Sequence, residues 1–114
     1  MNAVEDQIDR ATIRAMAQLI VERFDPEQIV LFGSHARGES SEHSDVDLLV
    51  VLRSDAVEPQ RGNPIRRAIA DRFVLPVDVM IRSPEVLARQ RSDPHSMIHS
   101  VLAEGKVLYE RRAA

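Results

Sequence analysis

An almost unbroken apolar run at residues 46–52, interrupted only by Asp47, constrains the fold more than any other feature of the sequence. Apolar side chains at successive positions of a strand imply burial on both faces of its sheet, so helices must pack above and below it. We therefore predict an α/β (α+β) fold, in which a small mixed sheet of three to four strands is flanked by helices.

Shorter apolar runs predict neighbouring strands at residues 29–32 and 77–81 and a short edge strand at 107–109. Helical periodicity predicts helices at residues 4–24, 65–73 and 84–92, and a last one that Asp93 and Pro94 open and Gly105 ends at its C′ position. A loop with a helical turn near residues 35–37 and a longer loop at 53–64 separate these elements. The buried face of the first helix is predicted to comprise Val4, Ile8, Ala11, Ala15, Met16, Leu19 and Ile20.

The size and charge of the chain exclude several classes of protein. With 114 residues and 44% hydrophobic composition, it suits a single domain over residues 1–114 with one core. A net charge of −3, one Tyr, three Phe and no Trp argue against an extended nucleic-acid surface. A chain without Cys has no disulfide and no thiolate metal site. No apolar run suits a membrane span, so we expect a cytoplasmic protein that does not bind a membrane.

Three aspartates interrupt or precede the apolar strands. Asp45 and Asp47 lie two residues apart, so their side chains share a face about 6 to 7 Å apart, and Asp78 can join them from the third strand. Taken singly, each also suits a turn, a solvated edge or a buried ion pair. Together, three converging carboxylates favour Mg²⁺, and two such ions roughly 4 Å apart can stabilise the attacking and leaving oxygens of phosphoryl or nucleotidyl transfer.

A second motif follows the strand at residues 29–32. Gly33 allows a close approach of the backbone to an anion, Ser34 offers a hydroxyl and an N–H, and Arg37 can neutralise charge bidentately, so the segment ending at Gly38 predicts a phosphate cradle. A strand-ending glycine beside a surface arginine is the alternative interpretation. A Walker A loop is excluded, because the only Lys, Lys106, is followed by valine.

The two motifs together resemble a known family. Gly33-Ser34-His35-Ala36-Arg37-Gly38 and Ser44-Asp45-Val46-Asp47-Leu48, with Asp78 in a later strand, resemble the DNA polymerase β nucleotidyltransferase superfamily, and in particular its minimal nucleotidyltransferase (MNT) members. The resemblance covers nearly the whole chain. It implies that ATP or another nucleoside triphosphate is the substrate and that Asp78 helps to activate an acceptor hydroxyl. The implied metal ligands for two Mg²⁺ ions are Asp45, Asp47 and Asp78, and the implied nucleotide-binding residues are Gly33, Ser34, Arg37, Gly38 and Ser44.

The resemblance also implies an acceptor. Short MNT proteins are similar to antitoxins encoded with HEPN-domain toxins, where AMP is transferred to a tyrosine of the toxin, so a HEPN-domain toxin is the expected partner. Two other functions stay open. One is a catalytically silent antitoxin that neutralises its toxin by binding, and the other is a small-molecule (antibiotic-type) nucleotidyltransferase that builds its acceptor pocket across a homodimer.

The remaining histidines and several arginines are predicted to be solvated. His35 and His43 belong to a polar loop. His95 and His99 have a spacing that can bind a metal on one helical face, but no acid or Cys completes such a site. Arginines predicted to form a solvated helix face, with docking of an acidic partner as the alternative, are Arg66, Arg67 and Arg72.

Overall fold

A computed structural model of the protein describes residues 10–39, 45–57, 63–74 and 76–111. These residues form one mixed sheet in the order β3-β2-β1-β4. β1 runs antiparallel to β2 and β4, whereas β2 and β3 are parallel. The predicted fold class is therefore confirmed, with all the predicted strands present. The strands are β1 (Gln28–Phe32), β2 (Val46–Val51), β3 (Val77–Arg82) and β4 (Lys106–Glu110).

Helices cover both faces of this sheet, as the apolar run of β2 predicted. Val46, Leu48 and Val50 pack in one cluster with α1 and α4, whereas Leu49 and Val51 pack in another with α5 and α6. Within the described ranges no helix is both long and apolar enough to cross a membrane. The helices are α1 (Arg10–Phe24), α2 (Ser34–Arg37), α3 (Ser54–Val57), α4 (Pro64–Arg72), α5 (Pro84–Arg91) and α6 (Met97–Glu104).

Asp47 is the single half-buried residue in the otherwise buried strand β2. Because strand side chains alternate, it shares the face of Leu49 and Val51, on the side of the sheet that α5 and α6 cover. Those helices pack on the later part of β2, and Asp47, near its beginning, lines an open cleft. The fold therefore places a carboxylate where an apolar layer ends.

The buried face of α1 differs from the prediction. Its buried residues are Ile13, Met16, Ala17, Leu19 and Ile20, whereas Ala11 and Ala15 are exposed. An alanine contributes little to burial, so the larger side chains of Ile13 and Met16 determine how the helix is rotated. The predicted Val4 and Ile8 lie outside the described residues.

The predicted start of the last helix is wrong. α6 begins at Met97, and the Ser96 hydroxyl caps it by accepting a hydrogen bond from the N–H of His99 at 3.2 Å. Asp93 and Pro94 belong to a preceding turn, in which the carbonyl of Asp93 accepts from the N–H of Ser96 at 3.0 Å. The hydroxyl of Ser96 is therefore the stronger helix-start signal.

Gly105 ends α6 as predicted, but in an extended conformation with φ −75° and ψ 162°. Its lack of a side chain matters because a Cβ here would lie 2.5 Å from Cγ1 of Val30 and 2.6 Å from the carbonyl oxygen of Val101. Close packing of the helix end on β1, rather than a left-handed backbone, therefore explains this glycine. The predicted loop after β2 also contains a short helix, α3.

Candidate functional site

β2 and β3 place Asp47 and Asp78 side by side. The register of the parallel pair matches Val46 with Val77 and Asp47 with Asp78. Register partners lie on the same face of a sheet, so the two carboxylates project to the same side. Both line an open cleft of about 580 Å³, and the sequence prediction that these two aspartates meet is confirmed by the register. Other residues of the cleft wall include Phe32, Asn63, Arg66, Arg82 and Met97.

Asp45 lies at the approach to β2 and is exposed to solvent. Burial raises the pKa of the Asp47 carboxyl above its ordinary value, and the negative charges of Asp78 and Asp45 raise that pKa further. His35 and Arg37 act in the opposite direction. The three aspartates therefore share one electrostatic environment in which the repulsion acting on Asp47 is not cancelled.

The described part of the chain contains no group of three His, Cys, Asp or Glu side chains already arranged around a metal position. Asp47 and Asp78 are adjacent, but Asp45 does not complete a three-carboxylate metal site with them. This set of oxygen donors still fits Mg²⁺, because that ion commonly takes one or two carboxylates and completes its shell with water and substrate phosphates. These residues therefore suit a metal site whose ligand shell is completed when the substrate binds.

Gly33 brings the loop after β1 directly against Asp47. Phe32 is the register partner of Asp47, and a Cβ added at Gly33 would overlap the Asp47 carboxylate. The backbone of Gly33 also has φ 77°, a conformation that other residues rarely adopt. Two independent constraints, space and backbone geometry, therefore require glycine at this position.

α2 is the predicted helical turn, and it begins beside this contact. The N–H groups of Ala36 and Arg37 donate to the carbonyl of Gly33 at 3.1 and 3.2 Å. Gly38 ends the turn with φ 74°, and its N–H donates to the carbonyl of Ser34. The first N–H groups of a helix have no acceptor within it, so they can bind an anion. Ser34 therefore lies at the end of α2 that faces the aspartates.

Arg37 is held by two glutamates. Its Nε donates to Oε1 of Glu39 at 2.9 Å and its Nη1 to Oε1 of Glu104 at 3.3 Å. It lines a second cleft, of about 340 Å³, together with Gly33 and Glu104. Arg37 is thus close to the predicted phosphate position but engaged by carboxylates. The predicted Ser44, like His43, lies outside the described residues.

The two clefts share Phe32 and Met97 in their walls. The sequence motifs indicate a role in the site for neither residue, nor for Asn63 or Arg82. The Asn-Pro pair at residues 63–64 is a helix-start signal that could have identified Asn63 as an N-cap residue. No comparable signal exists for Met97, whose position depends on how α6 packs.

The remaining predictions about His and Arg side chains give a mixed outcome. His95 precedes α6, so it does not share a helical face with His99, whose Nδ1 lies 3.0 Å from the carbonyl oxygen of Arg91. Arg66 is exposed, as predicted, and it also lines the open cleft of Asp47 and Asp78. Its position on α4 did not predict that Arg66 would share a cleft with these two aspartates.

Comparison of the sequence with known proteins finds one matching family and several relatives. The model of the family described as “Nucleotidyltransferase domain” matches residues 13–106. “Putative protein adenylyltransferase MJ1305” of Methanocaldococcus jannaschii is 31% identical over 90 residues, covering 73% of this chain and 58% of that protein. “Putative protein adenylyltransferase MJ0604” of the same organism is 30% identical over 82 residues, covering 72% of this chain and 77% of that protein. The chain thus spans little more than half the length of the first relative.

Among solved structures, one described as a toxin-antitoxin with AMP-PNP has a similar fold. It superimposes with a TM-score of 0.55 at 20% sequence identity, covering 87% of this chain and 74% of that chain. At this identity, the likeness establishes the shared fold.

Proposed function

This chain belongs to the nucleotidyltransferase domain family, and we propose that it transfers the adenylyl group of ATP to a hydroxyl group of a partner protein. The observation that carries the proposal is the register pairing of Asp47 with Asp78, beside a glycine that brings the α2 turn against Asp47. Carboxylates and a phosphate-binding turn at one point are the two halves of a nucleotidyl-transfer site.

The turn supplies the nucleotide-binding half. Gly33 allows the α2 turn to lie directly against the Asp47 carboxylate, and Ser34 with the first N–H groups of α2 binds phosphate oxygens. Arg37 adds positive charge after it exchanges a glutamate for phosphate, and Gly38 allows the turn to end there. Ser44 belongs to the proposed nucleotide-binding set on the sequence motif alone.

The aspartates supply the metal-binding half. Asp45, Asp47 and Asp78 would hold Mg²⁺, and bound Mg²⁺ neutralises phosphate charge and stabilises the attacking and leaving oxygens. Asp78 accepts the proton of the acceptor hydroxyl. The acceptor oxygen forms a bond to the α-phosphorus, the bond from that phosphorus to the β-phosphate bridging oxygen breaks, and pyrophosphate leaves.

We propose a tyrosine of a HEPN-domain toxin as the acceptor, with the chain acting as its antitoxin in the cytoplasm. Its similarity to relatives described as putative protein adenylyltransferases, and to a structure described as a toxin-antitoxin with AMP-PNP, supports this choice. The open cleft beside Asp78 also suits a side chain presented by another protein.

The test is label transfer in a mixture of the protein, its HEPN partner and Mg²⁺. ATP labelled at the α-phosphate should label the partner, whereas ATP labelled at the γ-phosphate should not, because pyrophosphate leaves. Asp47→Asn and Asp78→Asn should each reduce transfer at least a hundredfold, since they remove a metal-binding charge. Asp71→Asn, the same chemical change at an exposed position of α4, should leave transfer unchanged.

Two outcomes would contradict the proposal. Label transfer from the γ-phosphate would make the protein a kinase rather than an adenylyltransferase. No transfer, together with full neutralisation of the toxin by an Asp45→Ala, Asp47→Ala double variant, would favour an antitoxin that acts by binding alone.

A further inference from the structure

The outer edge of β3 lies beside the start of α4. β3 is the terminal strand of the sheet, with β2 on one side and no strand on the other within the described ranges. The carbonyls of Pro76 and Arg82 accept hydrogen bonds from the N–H groups of Val46 and Leu52, both at 3.0 Å. Because backbone groups alternate along a strand, the carbonyls of residues 77, 79 and 81 point away from β2.

Each of these three outward carbonyls accepts a hydrogen bond from a side chain. Nε of Arg66 donates to the carbonyl of Val77 at 3.2 Å, and Nδ2 of Asn63 donates to that of Val79 at 3.0 Å. Nη1 of Arg82 donates to the carbonyl of its neighbour Ile81 at 2.8 Å. The free edge of the strand is therefore occupied by donors, and two of them come from the first turn of α4 and the residue that caps it.

Those two donors bind the residues on either side of Asp78. Asn63 also caps α4, because its Oδ1 accepts from the N–H of Arg66 at 3.1 Å and its backbone has φ 53°. One amide group thus joins the start of α4 to β3. The strand segment that carries Asp78 is held by β2 on one side and by α4 on the other.

We propose that Asn63 and Arg66 are positioning residues that hold Asp78 opposite Asp47. The inference rests on the proposed function, in which both carboxylates bind metal. In the free protein the two carboxylates repel each other, and an edge strand anchored on one side can move away from its neighbour. Displacement of a reacting group by about 1 Å can reduce turnover a hundredfold, so bonds that fix β3 bear directly on the rate.

Asn63→Asp separates the two contacts of Asn63. An aspartate keeps the oxygen that caps α4 and tolerates a left-handed backbone, but it lacks the N–H that binds Val79. Arg66→Ala removes the donor to Val77. Arg67→Ala is the matched control, because it removes the same charge from the next residue of α4, and no hydrogen bond from its side chain to β3 occurs in the described structure.

Two measurements test the proposal. Amide hydrogen exchange of the metal-free protein, followed by NMR, should be at least tenfold faster at Asp78 and Met80 in Asn63→Asp and Arg66→Ala, with Arg67→Ala like the parent. In the adenylyl-transfer assay the first two variants should lose about tenfold to a hundredfold in kcat. The KM for MgATP should change less than about twofold, because the proposed nucleotide contacts lie on α2.

The added charge of Asn63→Asp is controlled by repeating both measurements at about 0.5 M salt, where interactions between exposed charges are screened. If the faster exchange and the lower kcat of Asn63→Asp persist at this salt concentration, they support a positioning role. If they disappear, the proposal is overturned. Unchanged exchange at Asp78 and Met80, or an Arg67→Ala defect equal to that of Arg66→Ala, also overturns it. If the parent protein transfers no adenylyl group, the proposed function fails, whereas hydrogen exchange still decides whether Asn63 and Arg66 hold the strand.

Discussion

Asp47 and Asp78 are register partners on adjacent parallel strands, each in the second position of its strand. Their carboxylates repel each other, and burial adds a further cost to the charge of Asp47. A protein that keeps two such residues side by side loses folding stability at a place where a bound cation can restore it. This relationship leads to the first prediction.

Asp47→Asn should stabilise the metal-free protein at neutral pH. Folding raises the pKa of Asp47, so the folded state binds that proton more tightly, and the stability contributed by this group falls as pH rises above the ordinary pKa of the carboxyl. Asparagine removes this dependence and, after allowance for solvent screening of a half-exposed group, should add at most about 1 kcal/mol. Thermal unfolding from about pH 4 to about pH 8 measures the difference, which should shrink in acid.

The effect of Mg²⁺ on thermal stability is a second test of the carboxylate pair. Mg²⁺ should raise the Tm of the parent protein and have a smaller effect on Asp47→Asn, because the variant has lost a ligand. An Asp47→Asn variant that is less stable than the parent at neutral pH in the absence of metal would contradict this prediction.

Gly33→Ala should damage the site far more than Gly38→Ala, although both glycines have a φ near +75°, at 77° and 74°. Their ψ angles differ: Gly38, at ψ 20°, is left-handed, whereas Gly33, at ψ −158°, lies in a region that is almost exclusive to glycine. Alanine should therefore cost about 1 to 2 kcal/mol of stability at residue 38 and up to about 3 kcal/mol at residue 33. Only the alanine at residue 33 would also overlap the Asp47 carboxylate, since a Cβ at residue 38 meets no atom within 4 Å. Chemical unfolding and the label-transfer assay together measure the two effects. Equal losses of activity in the two variants would exclude the contact with Asp47 as the reason for glycine.

Arg37 and Glu104 should have opposite effects on nucleotide binding. Arg37→Ala should weaken binding of MgATP about tenfold or more, since a hydrogen bond to a charged group contributes about 1.5 to 3 kcal/mol. Glu104→Gln should strengthen it a few-fold, because it removes a carboxylate that competes with phosphate for the arginine. Calorimetric titration with a non-hydrolysable ATP analogue measures both. Weaker binding by Glu104→Gln would instead make Glu104 a residue that orients Arg37 for the nucleotide.

The strands and the aspartates that interrupt them were accessible from the sequence because both follow from local patterns. An apolar run interrupted by one Asp predicts a strand buried on both faces, and Asp78 lies between two valines in a similar run. A Gly-Ser pair directly after a strand likewise predicts the α2 turn. These features depend on a few consecutive residues, so a single sequence contains them.

Contacts that depend on how helices pack were not accessible. Glu104 lies 67 residues from Arg37 in the chain, and their ion pair exists because the end of α6 packs beside α2. The bond of Asn63 to Val79 joins a side chain to a backbone carbonyl, which any residue could provide. Ala11 and Ala15 were wrongly predicted to lie on the buried face of α1, because alanine suits both a buried and an exposed face.

A crystal structure with Mn²⁺ and a non-hydrolysable ATP analogue tests most directly whether Asp47 and Asp78 form the metal site, because Mn²⁺ replaces Mg²⁺ and scatters anomalously. We predict anomalous density within coordination distance of Asp47 and Asp78, with phosphate oxygens completing the metal shell and the triphosphate against Gly33 and Ser34. A nucleotide bound elsewhere, or the absence of Mn²⁺ from this carboxylate pair while the nucleotide is bound, would contradict the proposed metal and nucleotide site.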